Sequence, residues 1–119
     1  MKTAVANEKL DSILAKVEKK GATAPKLIED LKELRVIALE EADPLVVKIL
    51  RLTYEFLEDQ KCFNVQAQYE EDEEGNEYPI EIEDKENLLY LLSLLKDADH
   101  TINREEIKDY RTVIKEALY

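Results

Sequence analysis

The chain has 119 residues, with 28 Asp and Glu against 17 Lys and Arg, and a formal charge of −11. This length corresponds to one domain, and 45% hydrophobic residues supply a core and exclude a fully disordered chain. The excess of acidic residues argues against nucleic acid as a partner, because the protein would repel phosphate.

Two helices are predicted at the start of the chain. The first carries apolar residues at helical spacing, namely Leu10, Ile13, Leu14 and Val17. It is expected to end at Gly21, which can adopt the left-handed conformation that closes a helix. Thr23 as a cap and Pro25 near the first helical position predict a second helix that stops near Ala42.

A third helix is predicted directly after the second. Asp43 can cap it, Pro44 suits its first position, and the helix is expected to extend to about Lys61. The turn between the second and third helices is very short. We therefore expect these two helices to pack as an antiparallel pair.

The hydrophobic period then changes to that of a strand. Two alternating runs flank Gly75-Asn76, and their apolar residues are Phe63, Val65, Ala67 and Tyr69, then Tyr78, Ile80 and Ile82. They predict a β-hairpin at about 62–83. The preferred register places Tyr69 opposite Tyr78 and puts all the apolar side chains on one face. This face is expected to pack on the helices, because a two-stranded ribbon is marginal alone.

Two further helices complete the chain. Asp84 can cap the fourth, whose leucines span an arc of roughly 220°: Leu88, Leu89, Leu91, Leu92, Leu94 and Leu95. Such an arc predicts a helix that is central to the fold or that also forms a subunit interface. Asn103 and Glu106 have capping-box spacing for the fifth helix.

These elements predict a mainly α fold, a single-domain bundle of about five helices with one β-hairpin inserted between helices 3 and 4. Residues 1–119 are expected to form one helical domain, with the acidic hairpin as an insertion at about 62–83. Cys62 is the only cysteine, the N-terminus lacks a secretory signal, and no apolar run approaches the ~20 residues of a membrane span. We expect a cytoplasmic protein with no membrane partner.

The negative charge is concentrated in the hairpin region. Residues 62–87 contain ten acidic residues and one lysine, a charge of −9 out of −11. Six of these acids form the acidic tip, namely Glu70, Glu71, Asp72, Glu73, Glu74 and Glu77. The tip also fits a solvated loop that protects a sheet edge.

From this charge distribution we predict a non-catalytic interaction or regulatory protein. It would bind a protein partner with a basic surface through the acidic tip, the leucine-rich helix, or both. Self-association into a homodimer through the leucine-rich helix is a further expectation.

A segment before the last helix resembles part of an EF-hand calcium loop. Asp97 and Asp99 match the first two ligands of that loop, Ile102 its central apolar position and Glu106 its terminal bidentate acid. The match requires two deleted residues, which include the fifth-position ligand and the glycine of the turn. The resemblance implies, as an alternative, a divalent-cation (calcium) binding protein that uses the 97–106 turn. The same residues also fit a polar turn with a capping box.

Residues suited to catalysis are scarce. His100 is the only histidine, and with two glycines the chain has no glycine-rich phosphate loop. A second alternative is a small enzyme that uses His100 with Ser12 or Ser93. Ser93 lies in an apolar helix, where a hydroxyl more often bonds a backbone carbonyl. We therefore expect no catalytic residues and no cofactor.

Overall fold

The computed structural model describes residues 1–119. It contains five α-helices and one antiparallel hairpin between the third and fourth helices, which confirms the predicted fold class. The elements are α1 (Ala4–Lys20), α2 (Leu27–Glu40), α3 (Pro44–Gln60), β1 (Tyr69–Glu71), β2 (Glu77–Pro79), α4 (Asp84–Leu94) and α5 (Thr101–Leu118). Short 3-10 turns follow α1 and α4, at Gly21–Thr23 and Leu95–Asp97.

Two predicted helix boundaries are confirmed by their local chemistry. Gly21 ends α1 with a φ of 76°, a conformation that glycine adopts without steric cost. At the start of α3, the carboxylate of Asp43 accepts a hydrogen bond from the Val46 N–H, and Pro44 is the first helical residue.

Three predicted caps are wrong, those at Thr23, Asp84 and Asn103. Helix α2 begins at Leu27 rather than after Thr23, because two successive turns, closed by Ala24 N–H to Gly21 O and Leu27 N–H to Ala24 O, occupy the intervening residues. Asp84 is the first residue of α4 rather than its cap, and its carboxylate accepts from the Phe63 N–H at 3.1 Å. The Asp84 carboxylate therefore accepts from the N–H of Phe63, 21 residues earlier, instead of from an N–H group at the start of its own helix.

The predicted capping box of α5 is also absent. The helix begins at Thr101, so Asn103 and Glu106 both lie inside it. The Asn103 amide donates to the Asp97 carbonyl, and Glu106 accepts from the Tyr90 hydroxyl. Both side chains therefore bind other segments of the chain.

The core is formed by apolar side chains from all five helices and from the segment before β1. Helix α2 packs on α1 and α3, α3 packs on α5, and α4 packs on α1 and α5. Phe63 is fully buried, edge-on to Phe56 at 5.8 Å between ring centroids and stacked on Tyr110 at 6.3 Å. This aromatic cluster attaches the start of the hairpin segment to α3 and α5.

The leucines of α4 are mostly covered within the chain. Leu88, Leu91, Leu92 and Leu94 are buried, as is Leu95 in the turn that follows, and Leu89 is partly buried. The wide arc therefore reflects the central position of α4, the first of the two predicted explanations. None of the helices combines the length and the apolar composition needed to cross a bilayer.

The hairpin register differs from the predicted one. Tyr69 pairs with Pro79, Glu70 with Tyr78 and Glu71 with Glu77. The register is set by a three-residue loop between Asp72 and Asn76, in which Gly75 has a φ of 84° and donates to the Asp72 carbonyl. Tyr69 and Tyr78 consequently lie on opposite faces of the ribbon, and the predicted single apolar face does not form.

Candidate functional site

The acidic tip has a defined local structure. The Asp72 carboxylate accepts from the Glu74 and Asn76 N–H groups at 2.9 and 2.8 Å, and also from the Asn76 amide. The hydrogen bond from the Asn76 backbone is the main reason why the pKa of Asp72 is lowered. Asp72 therefore shapes the turn, which is a common role for Asp in loops.

The other carboxylates of the tip have no counter-charge within the chain. Glu70, Glu71, Glu73, Glu74 and Glu77 are exposed, and none of them belongs to an ion pair. Their negative charge is consequently directed to solvent and to any approaching molecule.

A buried polar network fixes the segment before β1 to the helices. The Asn87 amide, 1% exposed, donates to the Phe63 and Val65 carbonyls at 3.1 and 2.7 Å. Tyr110 donates its hydroxyl to Asn87 Oδ1 at 2.6 Å and accepts from the Gln68 amide at 2.8 Å. Because every member is hydrogen-bonded, the network positions the base of the hairpin against α4 and α5.

A cleft of about 550 Å³ lies between the hairpin, α4 and α5. Its apolar lining is Ala67, Ile80 and Val113. Its main polar residues define what we call the tyrosine cleft: Tyr69, Glu77, Tyr90, Glu106, Asp109 and Tyr110. The volume is typical of a site for a small ligand or for one or two partner side chains.

The positions of the carboxylates in the tyrosine cleft are explained by the geometry of α5 and of the ribbon. Glu106 and Asp109 are three residues apart on α5, so they project along one line beside the buried Tyr110. On the ribbon, the register places Tyr69 and Glu77 on the same face. Two elements that are distant in sequence therefore bring three carboxylates to one cleft.

Two tyrosines of the cleft remain protonated at neutral pH. Burial, together with the hydrogen bond to Glu106, raises the pKa of Tyr90 to about 12. Burial also raises the pKa of Tyr110 to about 12. Tyr90 donates to Glu106 Oε1 at 2.5 Å and so holds this carboxylate in a fixed position in the cleft.

The cleft is chemically suited to a cation. None of its lining residues is Lys, Arg or His. The carboxylates of Glu77, Glu106 and Asp109 and the aromatic rings of the tyrosines are the groups in its lining that can contact an ammonium or guanidinium group. Carboxylates and aromatic faces are the groups that bind such cations in proteins.

The predicted calcium ligands are not brought together. Asp97 and Asp99 line a small cavity of about 60 Å³, whereas Glu106 lines the tyrosine cleft. Arg104 binds both carboxylate oxygens of Asp43 in this region and lies 3.8 Å from Asp99. No group of three or more His, Cys, Asp or Glu side chains is placed to hold a metal ion.

The residues considered for an enzyme lie apart from this cleft. His100 is exposed at the start of α5 and makes no capping hydrogen bond. Ser93 donates to the Tyr90 carbonyl at 2.7 Å, the backbone bond expected for it. Ser12, the other serine considered, is exposed on α1.

Comparisons of the chain with protein-family models, with curated proteins and with solved structures gave no match. The sequence pointed to the acidic tip and to Glu106, but not to a role for Tyr90 or Asp109. The spacing of Glu106 and Asp109 beside the apolar stripe of α5 is a sequence signal that could have indicated a shared acidic face.

Proposed function

We propose that the protein is a non-catalytic binding protein whose tyrosine cleft receives a lysine or arginine side chain of a protein partner. The observation that carries the proposal is the lining of the cleft, which combines three carboxylates and three tyrosines with no basic side chain. A cytoplasmic location is part of the proposal and rests on the lone Cys62, which cannot form an intrachain disulfide.

The acidic tip supports binding without lining most of the cleft. Its unpaired carboxylates produce a negative potential next to the cleft entrance, and such a field increases the rate at which a basic partner associates. The leucine-rich helix has no part in this proposal, because most of its leucines are buried.

The fixed geometry of the cleft supports selectivity for a cation. Tyr90 holds Glu106, and the Asn87–Tyr110–Gln68 network holds the base of the hairpin. A site whose groups are already hydrogen-bonded in place has less conformational entropy to lose on binding. An arginine would add planar hydrogen bonding and stacking that a lysine lacks, so we expect arginine peptides to bind more tightly.

The test is an NMR titration of the ¹⁵N-labelled protein with a short peptide that contains arginine, beside the same peptide with citrulline. Citrulline keeps the shape of arginine and removes its charge. We expect the arginine peptide to shift the amide signals of Tyr69, Glu77 and residues 106–113, and the citrulline peptide to bind at least tenfold more weakly, since ~1.5 kcal/mol for a charge-assisted hydrogen bond is about tenfold.

A pair of double variants makes the test specific. Glu106→Gln with Asp109→Asn removes two charges from the cleft while keeping an acceptor for Tyr90. Glu105→Gln with Glu116→Gln removes two charges from the same helix outside the cleft. Equal peptide affinity in both double variants, or shifts confined to residues outside the cleft, would contradict the proposal.

A further inference from the structure

A second surface of opposite charge lies between α2 and α3. This basic groove has a volume of about 470 Å³, and the residues that matter for its chemistry are Arg35, Leu39, Pro44, Val47, Lys48 and Arg51. It contains a single acidic residue, Asp43, whose carboxylate is already bound by Arg104. In a chain of net charge −11, a groove with three cations is a local exception.

The cations of the groove are largely uncompensated. Arg35 and Lys48 belong to no ion pair, and Arg51 has only a 3.4 Å contact with Glu55. Arg35 Nε is buried without a hydrogen-bond partner. Leu39, beside these cations, is 53% exposed. A partner for this groove must therefore bring carboxylates and an apolar or aromatic side chain.

The chain itself carries such an element on the outer face of its hairpin. Glu70 pairs with Tyr78 in the register, so these two side chains share the ribbon face opposite to the one that carries Tyr69 and Glu77. Tyr78 is 51% exposed, and Glu73 and Glu74 extend the charge at the tip. None of these four residues belongs to an ion pair or lines the basic groove of its own chain.

We propose that the outer face of the hairpin of one copy docks into the basic groove of a second copy. Glu70, Glu73 and Glu74 would face Arg35, Lys48 and Arg51, and the Tyr78 ring would cover Leu39 and Val47. Arginine and tyrosine are enriched at specific interfaces, and charges of opposite sign that face each other determine the register of the contact. Neither the groove residues nor the docking residues Glu70, Glu73, Glu74 and Tyr78 line the tyrosine cleft, so this proposal does not depend on cation binding in the cleft.

The docking surfaces determine the symmetry of the assembly. Because the hairpin face and the groove are different surfaces, the contact is head-to-tail rather than two-fold symmetric. Each copy keeps one free hairpin and one free groove after the first contact. The assembly therefore grows beyond a dimer, into a closed ring or an open chain, as the protein concentration increases.

The experiment is sedimentation velocity over a concentration series that reaches about 1 mM, a range that detects even weak association. The hairpin variant carries Glu70→Gln, Glu73→Gln and Glu74→Gln, and the groove variant carries Arg35→Gln and Lys48→Gln. Matched controls remove the same charges elsewhere: Glu8→Gln, Glu29→Gln and Glu40→Gln for the first, and Lys19→Gln and Lys20→Gln for the second.

The unmodified chain and both controls should show a mass that rises with concentration, and each variant alone should associate at least tenfold more weakly. A mixture of the two variants should give a 1:1 dimer and nothing larger, since each supplies one intact surface. The cleft variant with Glu106→Gln and Asp109→Asn should still assemble, which separates this proposal from the previous one.

Three results would overturn the proposal. The first is an unmodified chain that stays monomeric over the whole series. This result overturns the proposal even if the groove binds a free acidic peptide, because the groove would then be assigned to another protein. The second is a groove variant that assembles like the unmodified chain. The third is a mixture of variants that remains monomeric although circular dichroism shows both to be folded.

Discussion

The carboxylates of the helical body and those of the hairpin have opposite surroundings. In the body, Asp30 is bound by Lys9 and Lys16, and Asp43 is bound by both terminal nitrogens of Arg104. Both acids are buried, and the pKa of each is lowered although burial alone would raise it. In the hairpin, five acids of the tip have no ion pair at all. Because the pKa values of Asp30 and Asp43 are lowered, their ionised forms stabilise the folded body at neutral pH. The carboxylates of the hairpin remain available for binding.

The two regions are joined by the buried side chains of Phe63 and Val65 and by a few polar contacts. Asn87 bonds two carbonyls of the segment before β1, and Asp84 bonds the Phe63 N–H. We therefore expect mutations to lower the free energy of unfolding most at this junction, less at the ion pairs of the body, and least at the exposed tip.

The largest effect is expected at the junction. Asn87→Ala leaves the Phe63 and Val65 carbonyls without a donor and should lower the free energy of unfolding by about 3 kcal/mol, since buried unpaired groups cost ~1–3 kcal/mol each. Urea denaturation measures this loss. Asn64→Ala, at an exposed position nearby, should change it by less than about 0.5 kcal/mol. Similar losses in both variants would show that the junction does not depend on Asn87.

An intermediate effect is expected at the ion pair of the body. Asp43→Asn keeps a side-chain acceptor for the Val46 N–H but removes the charge that Arg104 binds, and should cost about 2 kcal/mol at neutral pH. The control is Asp59→Asn, at an exposed acid that belongs to no ion pair. A loss of stability equal in both variants would contradict the assignment.

The same variant has a defined pH dependence. The folded-state pKa of Asp43 is lowered from 3.8, so its contribution is complete above the unfolded value and is lost as the pH falls below about 3.8 through the folded value. Thermal melts across the acid range should show a shallower decline of Tm in Asp43→Asn than in the unmodified chain. Parallel curves would indicate that Asp43 is not the titrating group.

The smallest effect on stability is expected at the tip. Glu70→Gln, Glu73→Gln and Glu74→Gln together should change the free energy of unfolding by less than about 0.5 kcal/mol, and in the stabilising direction, because only repulsion between exposed charges is removed. Asp72→Ala, in contrast, removes the acceptor of the turn and should speed amide exchange at Glu74 and Asn76. A stability loss in the triple variant would reveal ion pairs at the tip.

The sequence predicted the parts of the fold that depend on local chemistry. Asp43-Pro44 and Gly21 predicted helix ends correctly. The change of hydrophobic period located the hairpin region, but the strands, Tyr69–Glu71 and Glu77–Pro79, cover only a small part of the alternating runs. The caps at Thr23 and Asp84 and the box at Asn103 were wrong, because turns or distant segments took over the local hydrogen bonds. The register was wrong because the spacing of apolar residues did not reveal the three-residue loop that Asp72 and Gly75 form.

The site was predictable only in its charge. The concentration of acids at 70–77 is a property of composition, and the sequence determined it together with the helix count and the position of the insertion. The tyrosine cleft and the basic groove arise where elements distant in the chain meet, Glu77 with Glu106 and Arg35 with Lys48. Only the tertiary structure brings these residues together, because the proximity of side chains on different elements depends on packing and register. Hydrophobic periodicity does not encode either of them.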